Sequence, residues 1–235
     1  MQKRLLRMVR SVVERGVHGS RVKRRLPNGV QFYVSPDSQL KYLGRDFDTD
    51  LADLARRHVT EDSVVWDIGA NCGVLAFNSA RARQIVAVEA DPFLCNLIQD
   101  SSAMNGVDVI VVTAAAYSEC GLAEFEIAKR GRASNHLASV KGSTQSSGAR
   151  GRIVVPTIAL DSLLDRVLPP TLMKIDVEGA EVSVLKGASR ILSEVRPLLY
   201  IESGDETRDE CGQILARAGY TMTEGAEMNW LCIPD

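Results

Sequence analysis

Short apolar runs alternate with longer segments of helical character along most of the chain. Such an alternation predicts an α/β fold built on a mainly parallel sheet. The last two apolar runs are separated only by residues 224–227, too few for a crossover helix, so we expect them to pair as an antiparallel hairpin. The strand-like runs are 63–67, 85–89, 108–113, 171–177, 197–202, 219–223 and 228–233, and the helix-compatible runs between them include 92–104, 180–192 and 206–218.

A turn rich in glycine follows the first of these strands. The apolar run from Val64 ends at Asp67, and Gly69, Asn71 and Gly73 precede a helix-compatible segment. Glycine lets the backbone approach a ligand, to which the helix offers its N-terminal N–H groups. Dinucleotide enzymes favour G-x-G-x-x-G, but Asn71 occupies the middle position, where a side chain would crowd a pyrophosphate. S-adenosylmethionine has no phosphate, and Asp67 can face its ammonium group while N–H groups around Gly69 face its carboxylate.

A second acidic residue ends the next strand at a suitable distance. Glu89 lies 22 residues after Asp67, close to the spacing that places an acid on a ribose diol. We therefore expect Glu89, with its neighbour Ala90, to bind the ribose, the alternative being a solvated acid at a strand end. Asp91 before Pro92 is predicted to be the N-cap of the following helix.

The fourth predicted strand also ends in acids. Apolar and charged residues alternate over 173–178, so Asp176 and Glu178 should leave the strand on one side, and Gly179 lets the chain turn into a helix. Ligands of open α/β sheets bind at the carboxyl ends of the strands, which places both acids beside the cofactor. When two carboxylates lie close together, the charge of one raises the pKa of the other, and a raised pKa suits a general base that works near neutral pH. Asp176 and Glu178 are thus candidate catalytic residues, although Asp176 could instead form a structural ion pair with Lys174.

Five blocks of sequence occur in the order typical of one family. They are Asp67–Gly73, Val88–Pro92, Val155–Leu164, Lys174–Glu181 and Val184–Ala188. With these blocks the chain resembles the FkbM-type methyltransferases over about residues 60–203. The resemblance implies a Rossmann-like class I methyltransferase fold with a seven-stranded, mostly parallel sheet and an antiparallel C-terminal hairpin. It also implies S-adenosylmethionine as cofactor and methylation of a hydroxyl group of a sugar, a glycan or glycolipid, or another secondary metabolite.

Other candidate site residues follow from position. No acid or amide follows the third strand, so Ala115 should provide an apolar floor for the adenine ring. His136 borders a polar loop and is a third candidate catalytic residue, with a surface histidine as the alternative. Asp176 and Glu202 together could hold a divalent cation, but no metal-binding signature is present and no metal site is predicted. Family members often carry a Tyr-Glu pair before the first strand, and residues 47–50 lack it.

The composition is that of an ordinary globular chain. The 235 residues have a formal net charge of −2, which gives no general case for binding nucleic acid. No apolar run reaches the roughly 20 residues of a membrane span, so we expect no transmembrane segment. The 5 cysteines are an odd number without a C-x-x-C pair, which indicates reduced thiols and a cytoplasmic protein.

Two segments differ from the rest of the chain. Residues 1–25 carry 9 basic residues and 1 acid, and we expect a basic helical segment that precedes a methyltransferase domain over residues 26–235. That segment either covers the domain as a solvated helix or makes a weak contact with an anionic membrane surface or a partner. A Ser/Gly-rich stretch over 139–151 predicts a mobile insertion at about 131–151, as a plain surface loop or a substrate gate.

Two further functional hypotheses keep the cofactor. One is an N-methyltransferase acting on protein or nucleic acid, which the absence of an Asn/Asp-Pro-Pro-aromatic motif at the fourth strand disfavours. The other is a cofactor-binding protein without catalysis, which would tolerate loss of Asp176 and Glu178, yet both are present. A homodimer is compatible with the chain.

Overall fold

The computed structural model describes residues 16–44, 47–140, 148–225 and 228–235. In chain order, its strands and α-helices are β1 (Val22–Arg25), β2 (Gln31–Val34), α1 (Thr49–His58), β3 (Val64–Ile68), α2 (Val74–Asn78), β4 (Gln84–Glu89), α3 (Pro92–Asn105), β5 (Val109–Thr113), β6 (Ala115–Ala116), β7 (Gly121–Ala128), β8 (His136–Leu137), β9 (Ala149–Ile158), β10 (Leu172–Ile175), α4 (Glu181–Lys186), β11 (Leu198–Glu202), α5 (Arg208–Arg217), β12 (Tyr220–Glu224) and β13 (Asn229–Pro234).

Seven of these strands form the central sheet, in the order β12-β13-β11-β10-β3-β4-β5. The five strands from β11 to β5 are parallel, whereas β13 is antiparallel to β11 and to β12. Helices and other long connections join the parallel strands, as parallel pairing requires. The seven-stranded, mostly parallel sheet and its C-terminal hairpin are therefore confirmed.

The two faces of this sheet have different roles. Trp66 of β3 lies beside Met173 of β10, which lies beside Leu199 of β11, and all three are buried in the largest apolar cluster. The next residue along each strand points to the opposite face. There Asp67, Lys174 and Tyr200 form a row across the same three strands. A polar row thus crosses one face of an otherwise apolar sheet near the carboxyl ends of its strands.

A second sheet, of order β6-β9-β7-β8, was not predicted. Its two long strands pair antiparallel, with Phe125 opposite Ile153, and one face of the pair is exposed at Leu122 and Val154. Exposed apolar residues weaken the alternation by which a sequence reveals a half-buried strand. Parts of the predicted insertion at about 131–151 belong to this sheet, whereas residues 141–147 lie outside the described ranges, so the mobility of the insertion stays a prediction.

The basic N-terminal segment is described only from residue 16 onward. The helical prediction for residues 1–25 is wrong for Val22–Arg25, which pair antiparallel with β2, Val22 lying opposite Val34. The buried side chains Phe32 and Val34 hold this hairpin against the helix α3 side of the central sheet, and this packing decides the conformation there. Residues 1–15 lie outside the described residues. Within the described ranges, no helix has the length and apolar character needed to cross a bilayer.

Candidate functional site

A cavity opens at the carboxyl ends of β3, β4, β10 and β11, where a parallel sheet of this kind binds its ligands. Asp67, Gly69 and Asn71 line one side of it, and Asp176 and Glu178 line another. Residues predicted from separate stretches of the chain are therefore brought together. Glu89, Ala90 and Ala115, predicted to bind the cofactor, also line this cavity, as does Glu202.

The glycine-rich turn has a left-handed backbone at three positions. The φ angles are +70° at Gly69, +53° at Asn71 and +80° at Gly73, and the N–H groups of Gly69 and Ala70 both donate to the carbonyl of Val88 at 2.9 and 3.1 Å. Side chains other than glycine adopt this conformation at a cost, and asparagine does so more readily than most. The side chain of Asn71 accepts a hydrogen bond of 2.7 Å from Ser38, which ties the turn to the loop after β2.

The structural requirement for Gly69 differs from the one expected. A Cβ atom at Gly69 would lie 1.8 Å from the carbonyl oxygen of Asp176, so glycine is needed because the chain leaving β10 passes against the turn. Gly73 does not line the cavity; a Cβ there would lie 3.1 Å from the ring of Phe77 and 3.3 Å from Ile98, which are core residues. The two glycines therefore permit close packing within the protein.

Glu89 is held at the end of β4 by backbone donors. Its two carboxylate oxygens accept hydrogen bonds of 2.8 Å from the N–H groups of Asn71 and Asp91. Burial raises the pKa of Glu89 to about 7, although these two donors act in the opposite direction. Asp91 caps helix α3 by accepting a hydrogen bond of 2.9 Å from the N–H of Phe93, so the predicted N-cap is confirmed.

The row of polar residues across the sheet contains a buried ion-pair network. Lys174 is 5% exposed, and its ammonium nitrogen lies 3.2 Å from Asp176 Oδ2 and 3.4 Å from Asp67 Oδ1. It also donates a hydrogen bond of 2.9 Å to the carbonyl oxygen of Gly69. Asp67 Oδ2 accepts a hydrogen bond of 3.2 Å from the N–H of Ala76, whereas Oδ1 is buried and accepts none in the described part of the chain.

Acidic side chains gather at the end of β10 and β11. Burial and the neighbouring Asp176 raise the pKa of Glu178 to about 8. Asp176 and burial raise the pKa of Glu202 to about 7, which Lys174 and Lys41 partly oppose. Glu178 has a left-handed backbone with φ of +52°. Such a conformation in a residue that lines a cavity is typical of functional sites. No group of His, Cys, Asp and Glu in the described residues has an arrangement that could hold a metal ion.

His136 does not lie at the cavity with the other candidate residues. It is on β8, where side chains alternate, and its neighbours Asn135 and Leu137 line the cavity. The ring nitrogen Nε2 lies 3.6 Å from Glu126, and Nδ1 lies 3.1 Å from the carbonyl oxygen of Ser134. The sequence predicted His136 beside a polar loop, whereas the structure places it in strand β8, and only the strand determines which side its ring occupies.

Several lining residues were not among the predicted ones. Tyr42 lies in a 3₁₀-helix over Leu40–Leu43, and Asp48 and Asp50 lie at the start of helix α1. Asp50 accepts a hydrogen bond of 2.9 Å from the hydroxyl of Tyr200, which connects α1 to the polar row. No local pattern marks these residues, because the loop that carries them reaches the cavity only through tertiary packing. The departure from the family at residues 47–50 had indicated no contact from this segment, whereas Asp48 and Asp50 line the cavity.

Arg132 is another lining residue that the sequence did not single out. Its guanidinium group binds Asp37 at 2.8 Å and Asp91 at 2.5 Å, and it lies 4.4 Å from the ring centroid of Phe93. Asp37 also binds Arg150 at 2.6 Å. Burial alone would raise the pKa of Asp37, but Arg150, the N–H of Gly19 and Arg132 lower it. This network fastens both ends of the insertion against the rim of the cavity.

Comparison with known proteins identifies relatives of the chain. The family model "Methyltransferase FkbM domain" matches residues 67–222. The hexuronic acid methyltransferase AglP of Haloferax volcanii is 28% identical over 163 residues, which is 68% of this chain and 64% of AglP. An uncharacterized protein of Methanocaldococcus jannaschii is 34% identical over 77 residues, 31% of this chain and 30% of that protein.

One solved structure of a methyltransferase FkbM also matches part of the chain. The methyltransferase FkbM from Methylobacillus flagellatus KT superposes with a TM-score of 0.48 at 18% sequence identity, over 74% of this chain and 44% of that one. The chain thus spans less than two thirds of the length of these relatives.

Proposed function

Since the chain belongs to the methyltransferase FkbM family, we propose that it is an S-adenosylmethionine-dependent O-methyltransferase with a class I methyltransferase fold. Its acceptor is a hydroxyl group of a sugar, a glycan or glycolipid, or another secondary metabolite. The observation that carries the proposal is one cavity that joins the turn after β3 to the acids after β10 and β11. Family membership supports oxygen as the methylated atom.

The residues of the turn fit S-adenosylmethionine. The buried Oδ1 of Asp67 lies 3.4 Å from the Lys174 ammonium group but accepts no hydrogen bond from the described residues. A buried oxygen whose capacity to accept hydrogen bonds is unused favours a ligand that supplies a donor. The ammonium group of the cofactor is such a donor. In this assignment Gly69 and Asn71 border the amino-acid tail, but their N–H groups donate to Val88 and Glu89, so they do not face its carboxylate as the sequence had led us to expect. Glu89 and Ala90 contact the ribose and Ala115 the adenine ring, while Asp176 lies between the cofactor and the acceptor.

The acids beyond Asp67 fit the acceptor chemistry. When bound, S-adenosylmethionine supplies a methyl group that its positive sulfur already activates, so the protein must align the acceptor and remove its proton. Glu178 is the proposed base, whose carboxylate would take the proton of the acceptor hydroxyl group. A pKa of about 8 suits this task because the ideal base titrates near the operating pH. Asp176, which is paired with Lys174, is proposed to orient the acceptor.

His136 is left out of this mechanism. Its contacts with Glu126 and Ser134 place it beside β7 rather than at the cavity. A base must come within hydrogen-bond reach of the proton that it removes. Glu178 and Asp176 meet the weaker condition of lining the same cavity as the turn.

Binding measurements test the cofactor first. Calorimetry with S-adenosylmethionine, S-adenosylhomocysteine and NAD should show binding of the two sulfur compounds and none of the dinucleotide. Binding of NAD alone, or of no compound, would contradict the proposal. A screen with a radiolabelled methyl donor against neutral sugars, uronic acids and glycolipids, with and without Mg²⁺, then identifies the acceptor class. Transfer of label to nitrogen rather than oxygen would contradict the proposed acceptor.

A further inference from the structure

Lys174 occupies the boundary between the two sides of the cavity. Its ammonium group contacts three oxygen atoms: the Gly69 carbonyl at 2.9 Å, Asp176 Oδ2 at 3.2 Å and Asp67 Oδ1 at 3.4 Å. Two of these belong to the cofactor side in the proposed function, and the third belongs to the acceptor side. The other two cations that line the cavity form ion pairs with different residues, Lys41 with Asp48 and Arg132 with Asp37 and Asp91.

The strand register explains why a lysine can lie there. Lys174 of β10 is the direct parallel neighbour of Asp67 of β3, so the two side chains leave the sheet on the same face. Two residues further along, Asp176 leaves on that face as well, because side chains repeat with a period of two. The N–H of Asp176 donates a hydrogen bond of 3.1 Å to the carbonyl of Ile68, which keeps the end of β10 against the turn.

The burial of this cluster makes its charges interdependent. Asp67 is 1% and Lys174 5% exposed. Burial alone would lower the pKa of Lys174, but Asp176 and Asp67 raise it above its ordinary value, so the group is an ammonium ion. Burial raises the pKa of Asp67, and Lys174 is the first of the groups that oppose this. A buried carboxylate that loses its counter-charge takes up a proton rather than remain charged.

We propose that Lys174 is a positioning residue that fixes the carboxylate of Asp67, the carbonyl of Gly69 and the carboxylate of Asp176 in one arrangement, and so joins the cofactor-binding turn to the acceptor side. Its ammonium group keeps Asp67 in the charged form that a bound ammonium group requires. The proposal rests on the proposed function, because it takes Asp67 to be the partner of the cofactor tail. Lys174 itself touches neither the reacting methyl group nor the acceptor proton.

The proposal makes cofactor binding depend on pH once Lys174 is removed. Without the ammonium group, the pKa of Asp67 rises further, and cofactor affinity falls as the pH falls through that pKa. The charged or titratable groups that face this pair from the surrounding elements are Asp176 and Glu178 after β10, Glu89 at the end of β4, and Tyr200 and Glu202 on β11. Glu89 titrates near neutral pH in the wild type too, so the informative quantity is the ratio of the two dissociation constants. Lys174 is the first charge that lowers the pKa of Asp67 and the last of the causes at Glu89, so this ratio reports mainly on Asp67.

The test is calorimetry with S-adenosylhomocysteine at several pH values, using wild type, Lys174→Met and Lys174→Arg. For Lys174→Met, the ratio of its dissociation constant to that of wild type should grow about tenfold for each pH unit below the pKa that Asp67 takes in the variant. Lys174→Arg retains the positive charge, so its ratio should not change with pH. Lys186→Met is the matched control, because that lysine is exposed and pairs with Glu210 on the surface.

Each outcome of this test bears on one proposal. Wild-type protein that does not bind S-adenosylhomocysteine contradicts the proposed function. Wild type that binds, together with a Lys174→Met ratio that does not change with pH, overturns the role of Lys174. If Lys174→Met fails to give a cooperative thermal transition, the double variant Lys174→Met/Asp176→Asn removes one of the two unpaired carboxylates. The same pH-dependent ratio is expected of it, and a constant ratio again overturns the proposal.

Discussion

The two ends of the cavity differ in what holds their carboxylates. Glu89, at the cofactor end, accepts hydrogen bonds of 2.8 Å from two backbone N–H groups, one in the turn after β3 and one at the start of helix α3. Glu178 and Glu202, at the acceptor end, both face the charge of Asp176, and Glu178 also faces that of Glu202. Both ends contain acids that titrate near neutral pH, but Glu89 is bonded to backbone N–H groups before a ligand binds, whereas the pKa values of Glu178 and Glu202 are raised in part by neighbouring carboxylates. Perturbed acids of the second kind are typical of sites that carry out proton transfer.

The largest effect should come from breaking the contact between the two ends. Gly69→Ala puts a methyl group 1.8 Å from the Asp176 carbonyl, at a φ of +70°. We expect a loss of stability of about 3 kcal/mol or more, together with loss of S-adenosylhomocysteine binding. Thermal unfolding and calorimetry measure the two effects.

Gly106→Ala is the control for backbone strain alone. Gly106 has a φ of +64°, and a Cβ there meets nothing within 4 Å, so the expected cost is only about 1 kcal/mol with cofactor binding intact. Equal losses in the two variants would mean that the left-handed backbone, and not the approach of the Asp176 carbonyl, determines the requirement for glycine.

The next largest effect should be on turnover, which distinguishes the acceptor end from the cofactor end. Glu178→Gln removes the proposed base while keeping the side-chain shape, so kcat should fall by about 10²–10⁴. The dissociation constant for S-adenosylhomocysteine should change little, because Glu178 lies at the acceptor end. In the wild type, the rate should rise with pH towards about 8, the pKa of Glu178. The measurement is a pH–rate profile with the acceptor that the screen identifies; full activity of Glu178→Gln would remove the proposed base.

The cofactor end could be read from the sequence because its parts are close along the chain. Asp67, Gly69 and Asn71 fall within one turn, and Glu89 follows one crossover later, so local pattern and spacing suffice. The acceptor end could be read only in part. Asp176 and Glu178 follow a recognisable strand, but the side chains that complete this end come from distant segments and have no pattern of their own.

The direction of the polar side chains was harder to predict than their position. His136 occupies a two-residue strand, for which period two gives no statistical signal, and only pairing with β7 fixes its side. Strands β7 and β9 were not predicted for a related reason. Their exposed positions carry the apolar residues Leu122 and Val154, where the apolar–polar alternation of a half-buried strand would have polar ones. In both cases packing between distant segments decided the outcome.

Stability should depend on pH through the acids of both ends. The folded pKa values of Glu89, Glu178 and Glu202, about 7, 8 and 7, lie above the ordinary 4.5. The folded state therefore binds more protons than the unfolded state between about pH 4.5 and about pH 8, and stability falls as the pH rises through this window. Thermal unfolding of the unliganded protein should show a decreasing Tm, and Glu178→Gln should flatten the slope.

A comparison of variants assigns that slope to one end or the other. Glu178→Gln should flatten it more than Glu89→Gln, because the pKa of Glu178 is the further raised of the two. Exposed Glu194, which pairs with Arg190 on the surface, provides the control, and Glu194→Gln should leave the slope unchanged. A wild-type Tm that rises from pH 5 to pH 8 would contradict the raised pKa values at both ends.

The smallest effect should come from His136, which separates proximity in the sequence from presence at the cavity. His136→Gln keeps a polar side chain beside Glu126 and leaves the lining residues Asn135 and Leu137 in place. We expect kcat and cofactor affinity within about threefold of wild type, because a group that does not reach the reacting atoms cannot act as their base.

Asn135 offers the sharper contrast, since its amide donates a hydrogen bond of 2.9 Å to Asp91 and accepts one of 2.8 Å from the N–H of Ala128. Asn135→Ala should therefore weaken cofactor binding more than His136→Gln does, and the reverse order would show that β8 presents its other face to the ligand.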